Sequence, residues 1–208
     1  MKFTLFKTLT PALLATLACL ITSTAHGQKI TVDADEAEFE DYPSPQFDAG
    51  VAKKFRPKEW LEIEAKLNVT MDPEPPTKTC DRVLVKWYVL VDNPEKSGTY
   101  YMLTKDVEHV NIPLGEDVYC SVYLSPASVR RLLGTDKNGK KAVDRVGYEV
   151  IVNGVLKGGS STKGKAGWWN VASPKVARTT AVPLLSKIET PFRNMWWDRY
   201  AEVSEDRR

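Results

Sequence analysis

Asp81-Arg-Val-Leu-Val-Lys-Trp-Tyr-Val-Leu-Val-Asp92 decides the fold. On an extended chain Val83, Val85, Trp87, Val89 and Val91 share one face, while Leu84, Tyr88 and Leu90 share the other, interrupted by Lys86. β-Branched and aromatic residues suit a pleated backbone. A run apolar on both faces reads as a central strand covered on each side. Cys80 stands at its start, and Asn93-Pro94 ends it with turn chemistry.

Working back from this strand, Trp60 to Val69 alternates cleanly. Leu61, Ile63, Ala65, Leu67 and Val69 face one way, and Glu62, Glu64, Lys66 and Asn68 the other, as in a half-exposed antiparallel strand. Further back, Gln28 to Asp41 is crowded with Asp33, Asp35, Glu36, Glu38, Glu40 and Asp41, and Tyr42-Pro43-Ser44-Pro45 follows. Residues 28–57 therefore read as a solvated acidic arm and linker, and 58–208 as the folded domain. The linker turns basic at Lys53, Lys54 and Arg56, continued by Lys58 at the start of the domain.

Residues 1–27 read as a signal peptide. Lys2 and Lys7 make a positive start, Pro11 to Ile21 is a short apolar run, and Ala25-His26-Gly27 offers small residues for cleavage. Cys19 opens a lipoprotein alternative, against which stand Thr16 and the apolar Leu20-Ile21 beyond the cysteine. The exported chain is expected in the periplasm, at the outer membrane or outside the cell, with no stable membrane span. Lys2 and Lys7 leave with the signal, so 27 basic residues face 27 acidic ones, and no basic excess points to nucleic acid. Only Cys80 and Cys120 remain. In an oxidising compartment they are expected to form one disulfide, contributing about 4 kcal/mol in the chain-entropy model.

Working forward, Gly98 to Leu103, Val107 to Ile112, Val118 to Leu124, Val146 to Val152, Val155 to Ser160, Trp168 to Val171 and Thr179 to Leu185 read as strands. Asn153-Gly154 is a type I′ hairpin signal. Ser125-Pro126 and Gly134 bracket one short helix. About eight strands, hairpin connections and one helical turn predict an all-β, antiparallel, immunoglobulin-like β-sandwich with a short connector helix.

The chemistry expected of an enzyme is thin. His109 is the one histidine of the exported chain; beside Glu108 in a strand it reads as structural, and no nucleophile-elbow sequence accompanies it. The two cysteines lack zinc spacing, and no glycine loop ends like a phosphate cradle. No catalytic residue, metal or cofactor is expected. Aromatic residues carry the remaining signal: Trp168-Trp169, Trp196-Trp197 and Tyr200 form the candidate binding surface. One ring of each pair is expected to be buried and the other offered to a partner or a sugar.

Glu189-Thr190-Pro191-Phe192 followed by Trp196-Trp197-Asp198-Arg199-Tyr200 resembles the terminal motif of a family of secreted, pilus-like proteins from Verrucomicrobia. Tyr148 to Gly154 and Trp168-Trp169 fit the same resemblance. It implies an immunoglobulin-like domain encoded with type IV pilus components and without enzymatic activity. A pilin keeps a long apolar N-terminal helix, whereas Pro11 to Ile21 is short, so a soluble accessory protein is expected. The partners would be envelope or pilus proteins. A carbohydrate-binding module and, behind it, a carboxylate-dependent hydrolase are the alternatives.

Overall fold

The computed structural model describes residues 28–46, 50 and 56–205. The signal peptide, Cys19, Lys53 and Lys54 lie outside them. Eleven strands, among the described residues, form two packed sheets, an all-β sandwich.

The long run at its centre is β4 (Thr79–Asp92), paired on one side with β5 (Tyr100–Pro113) and on the other with β7 (Val143–Val152). Val83, Val85, Trp87, Val89 and Val91 are all buried between the sheets. The opposite face is covered at one end only. Leu90 and Tyr88 pack there with Trp168 and Trp169, while Leu84 and Lys86 stay half-buried.

β7 turns into β8 (Val155–Ser161) through Asn153-Gly154, both at positive φ, as a type I′ turn requires. β9 (Val176–Arg178) pairs in parallel with the start of β5, and β11 (Glu202–Val203) pairs antiparallel near its end. β5 is one strand where the sequence suggested two. Lys105 interrupts the apolar alternation because it occupies the position aligned with the inward Trp87; its ammonium escapes to Glu189 Oε2 at 2.6 Å.

The second sheet is built on β3 (Glu59–Asp72), paired with β6 (Asp117–Leu124), which carries β10 (Leu185–Ser186). The expected acidic arm is its other edge. β1 (Lys29–Ala34) and β2 (Glu38–Pro43) lie along β3 one after the other. Ala34 pairs with Leu67 and Glu38 with Glu64, so three residues face two across the junction. This bulge moves the inward set from Ile30, Val32 and Ala34 to Ala37 and Phe39. The phase switch broke the alternation, and Asp33, Asp35, Glu38 and Glu40 proved to be outward on an edge strand, where charge discourages pairing with other chains, while Asp41 turns in to accept from Gly139 N–H.

Helix α1 (Pro126–Leu133) is as expected. Ser125 accepts from Ser128 N–H at 3.2 Å, and Gly134 at φ 73° donates to the Arg130 carbonyl. Trp168–Asn170 is a 3-10 turn, not a strand, and between β9 and β10 the chain forms no strand.

The disulfide is corrected. Cys80 and Cys120 are separate buried thiols on different sheets. Cys80 sits near the end where Leu114 crosses to Val69, whereas Cys120 pairs with Ala65, four residues and so about 13 Å further along β3. A disulfide needs Cα atoms within about 7 Å. Burial raises both thiol pKa values. Alkylation is expected to be slow in the native protein and complete in denaturant without reductant; a mass showing a bridged pair would contradict this arrangement.

Candidate binding surface on the outer face of the β3 sheet

The sequence singled out five aromatic residues as one surface, and the fold separates them. Trp168 and Trp169 lie on the outer face of the β4 sheet. Trp169 stacks on Tyr88 at 4.9 Å with planes 6° apart and donates from Nε1 to Glu149 Oε1 at 2.9 Å. A Cβ at Gly147 would lie 2.2 Å from its ring, so the bare backbone of Gly147 makes the seat. Glu149 also accepts from Tyr88, whose phenol is pushed up to about 12 by burial and then by this carboxylate. Trp168 donates to Ser161 Oγ at 2.9 Å beneath Arg145. This pair is a plug on the sheet, with Trp169 only 5% exposed, and not an open platform.

Trp196 and Tyr200 lie on the outer face of the β3 sheet, brought there by the tail, while Trp197 lines a neighbouring pocket with Lys187, Arg193 and Glu205. After β10, Glu189 Oε2 accepts from both the backbone N–H and the hydroxyl of Ser186, each at 2.7 Å, and from Lys105. Thr190 Oγ1 donates to the Lys187 carbonyl and accepts from Phe192 N–H. Glu189-Thr190-Pro191-Phe192 is thus a folded corner that aims Phe192 inward. The Phe192 ring stacks on Tyr123 at 5.4 Å, meets Trp60 edge-on at 6.0 Å and carries Trp196 on its far side at 6.3 Å. Trp196 itself sits at φ 49°, a left-handed conformation uncommon for a bulky residue. Both tail tryptophans remain exposed, Trp196 by 47% and Trp197 by 57%, where one buried ring was expected.

Beneath the tail, Glu62 and Glu64 project from the same face of β3. Tyr123 donates to Glu62 Oε1, and the Tyr200 hydroxyl lies 3.0 Å from Glu62 Oε1 and closer still to Glu64 Oε2. Arg199 donates to Glu64 Oε1 at 2.6 Å and lies 3.5 Å over the Tyr119 ring. Lys187 is buried, its ammonium donating to the Met195 carbonyl over the Tyr200 ring. Burial raises the Glu62 pKa against the opposing pull of its two phenols and lowers that of Lys187. Glu64 pairing holds the Arg199 guanidinium further up, and burial followed by the Glu64 bond raises the Tyr200 phenol. Tyr42, Glu62, Glu64, Trp196, Arg199 and Tyr200 line a cleft of about 320 Å³.

Sequence reasoning missed Tyr42, Glu62 and Glu64. The two glutamates occupied the outward positions of an alternating strand and so read as solvated. The one available signal was a phenol and two indoles in a tail that had to lie against something.

His109 faces inward from β5. Its Nδ1 lies 3.3 Å from the Ala201 carbonyl, and Nε2 has no hydrogen-bond partner among the described residues. Burial lowers its pKa from 6.5 to about 4. Because the unfolded chain takes the proton first, stability is full above pH 6.5 and declines as the pH falls towards 4, by about 3 kcal/mol in all. Glu62 acts in the opposite sense, since acid relieves a buried carboxylate. Denaturant melts of wild type and His109→Leu across this window isolate the histidine: the variant is expected to lose the acid-side slope, and equal slopes would contradict a buried neutral imidazole.

The motif residues that suggested a family therefore build the tail and the Trp169 seat. No curated protein matches the chain. A crystal structure of a protein from Akkermansia muciniphila superposes with a TM-score of 0.82 at 34% sequence identity, over 86% of this chain and 95% of that one. The profile of the family matches residues 23–207. The chain belongs to the pilus-like protein family of Verrucomicrobia.

Proposed function

We propose that this protein is exported and acts without catalysis, by binding protein partners of the cell envelope, as an accessory to type IV pilus-like machinery. The observation that carries this reading is the exposed pair of Tyr42 and Trp196, with Trp197 exposed next in the chain, three of the few large apolar side chains left exposed, where the tail is held by stacking and hydrogen bonds. Rigid aromatic anchors beside satisfied polar groups are what interface hot spots use. Family membership supports the association with pili. Among the described residues, no helix is long and apolar enough to cross a membrane.

A carbohydrate module is the second reading. It asks for coplanar exposed rings, and the planes of Tyr42 and Trp196 are inclined by 57°, which makes an angled notch for a side chain and not a flat platform for a sugar. For a hydrolase, a substrate would have to sit between Glu62 and Glu64, yet the Tyr200 hydroxyl already bridges the two and Arg199 pairs with Glu64.

A photo-reactive residue at position 197 in cells, against the same residue at the exposed Val171 beside the Trp169 plug, tests the proposal. Adducts identified by mass spectrometry as pilus-machinery proteins are expected from 197 and not from 171. The same adducts from both positions, or none from 197, would overturn it.

A further inference from the structure

We infer that the cleft between Tyr42 and Trp196 takes a cationic side chain, an arginine or lysine presented by the protein partner. The inference deepens the proposed function and rests on it.

Glu62 is only 5% exposed, and its described hydrogen bonds all fall on Oε1. Oε2 has no partner among the described residues, and the residue lines the cleft. A mostly buried carboxylate whose one unbonded oxygen meets solvent only through the cleft is better compensated by a counter-charge there than by water alone. The protein supplies that charge incompletely. Arg199 is the cation of the cleft lining, and it is spent on Glu64. Lys187 lies outside the lining, its ammonium on the Met195 carbonyl and the Tyr200 ring. Glu40 adds negative potential at Tyr42, although Lys140 pairs with it at 2.6 Å. Within the lining two carboxylates face one guanidinium, and Lys187 acts on Glu62 and Glu64 only through space, without a bond to the free oxygen.

Its walls suit the same ligand. Tyr42 and Trp196 stand 6.2 Å apart, tilted, at the mouth. A guanidinium or ammonium in the angle that the two tilted rings make would lie against their faces and reach Glu62 Oε2. The Tyr123–Phe192–Trp196 stack fixes one wall in advance, so little ordering is left to binding.

The probe is acetyl-arginine-amide, titrated into the whole exported chain while the indole N–H resonance of Trp196 is followed, with acetyl-citrulline-amide as its neutral isostere. Arginine is expected to move that resonance saturably, at least about tenfold more tightly than citrulline, and to weaken as salt rises. Glu62→Gln, which keeps the shape, is expected to lose about tenfold, and Tyr42→Ala at the exposed rim to lose binding, both read from the Trp196 resonance. Equal affinity for citrulline, or salt-independent binding by the wild type, overturns the inference without reference to any variant. Arginine failing while position 197 still cross-links to pilus proteins overturns the cationic ligand alone. If both fail, the surface itself is not the contact.

Discussion

Val89→Asp is expected to abolish folding. Val89 is fully buried in β4, between Leu103 of β5 and Val146 of β7, with the facing sheet above it. An aspartate there finds no hydrogen-bond donor among side chains that are all apolar and must either stay ionised in the core or bind a proton. The cost is about 5 kcal/mol or more, comparable with the whole stability of a domain, about 5–15 kcal/mol. Lys86→Ala, three residues away on the outer face, removes one exposed pair with Asp106 and is expected to cost about 1 kcal/mol or less. Circular dichroism melts separate the two. A soluble, cooperatively melting Val89→Asp protein would show that β4 is not the centre of the sandwich.

Phe192→Ala is the second large effect, and it connects stability to the surface. The ring is buried against Tyr123 and Trp60 and supports Trp196. Emptying such a site costs about 3–5 kcal/mol, or a melting temperature lower by about 10 °C for a chain of this size. The sandwich core between the sheets is untouched, so the protein should still fold. What should change is the outer face of β3. Without Phe192 the Trp196 indole loses its support, Glu62 gains water, and dye binding to exposed apolar surface should rise. Phe192→Leu, which refills most of the volume, should recover much of the melting temperature but not the stacking. If Phe192→Ala melts like wild type with unchanged tryptophan emission, the tail does not dock as described.

The sheet core was legible because burial between two sheets imposes a period of two, and β3, β4, β6 and, from Val146 onward, β7 carry that period without interruption. The helix and the Asn153-Gly154 hairpin were legible for a local reason too: Ser125, Gly134 and Gly154 satisfy backbone demands that neighbours in sequence create. Where the period was broken by one residue the reading failed. The bulge at 35–37 hid β1 and β2 behind their acidic outward halves, and Lys105, inward in register but reaching Glu189, split β5 in two.

By itself, the sequence determined an all-β sandwich organised on one central strand, the family to which it belongs, and an aromatic tail that could not hang free. Tertiary structure decided the rest, since each remaining question was one of distance between segments far apart in the chain. It placed Cys80 and Cys120 out of bonding range, gave Trp169 to Gly147 and Glu149, and set Trp196, 154 positions from Tyr42, across a cleft floored by Glu62 and Glu64. Periodicity reports which face a side chain occupies. Only packing reports what covers that face.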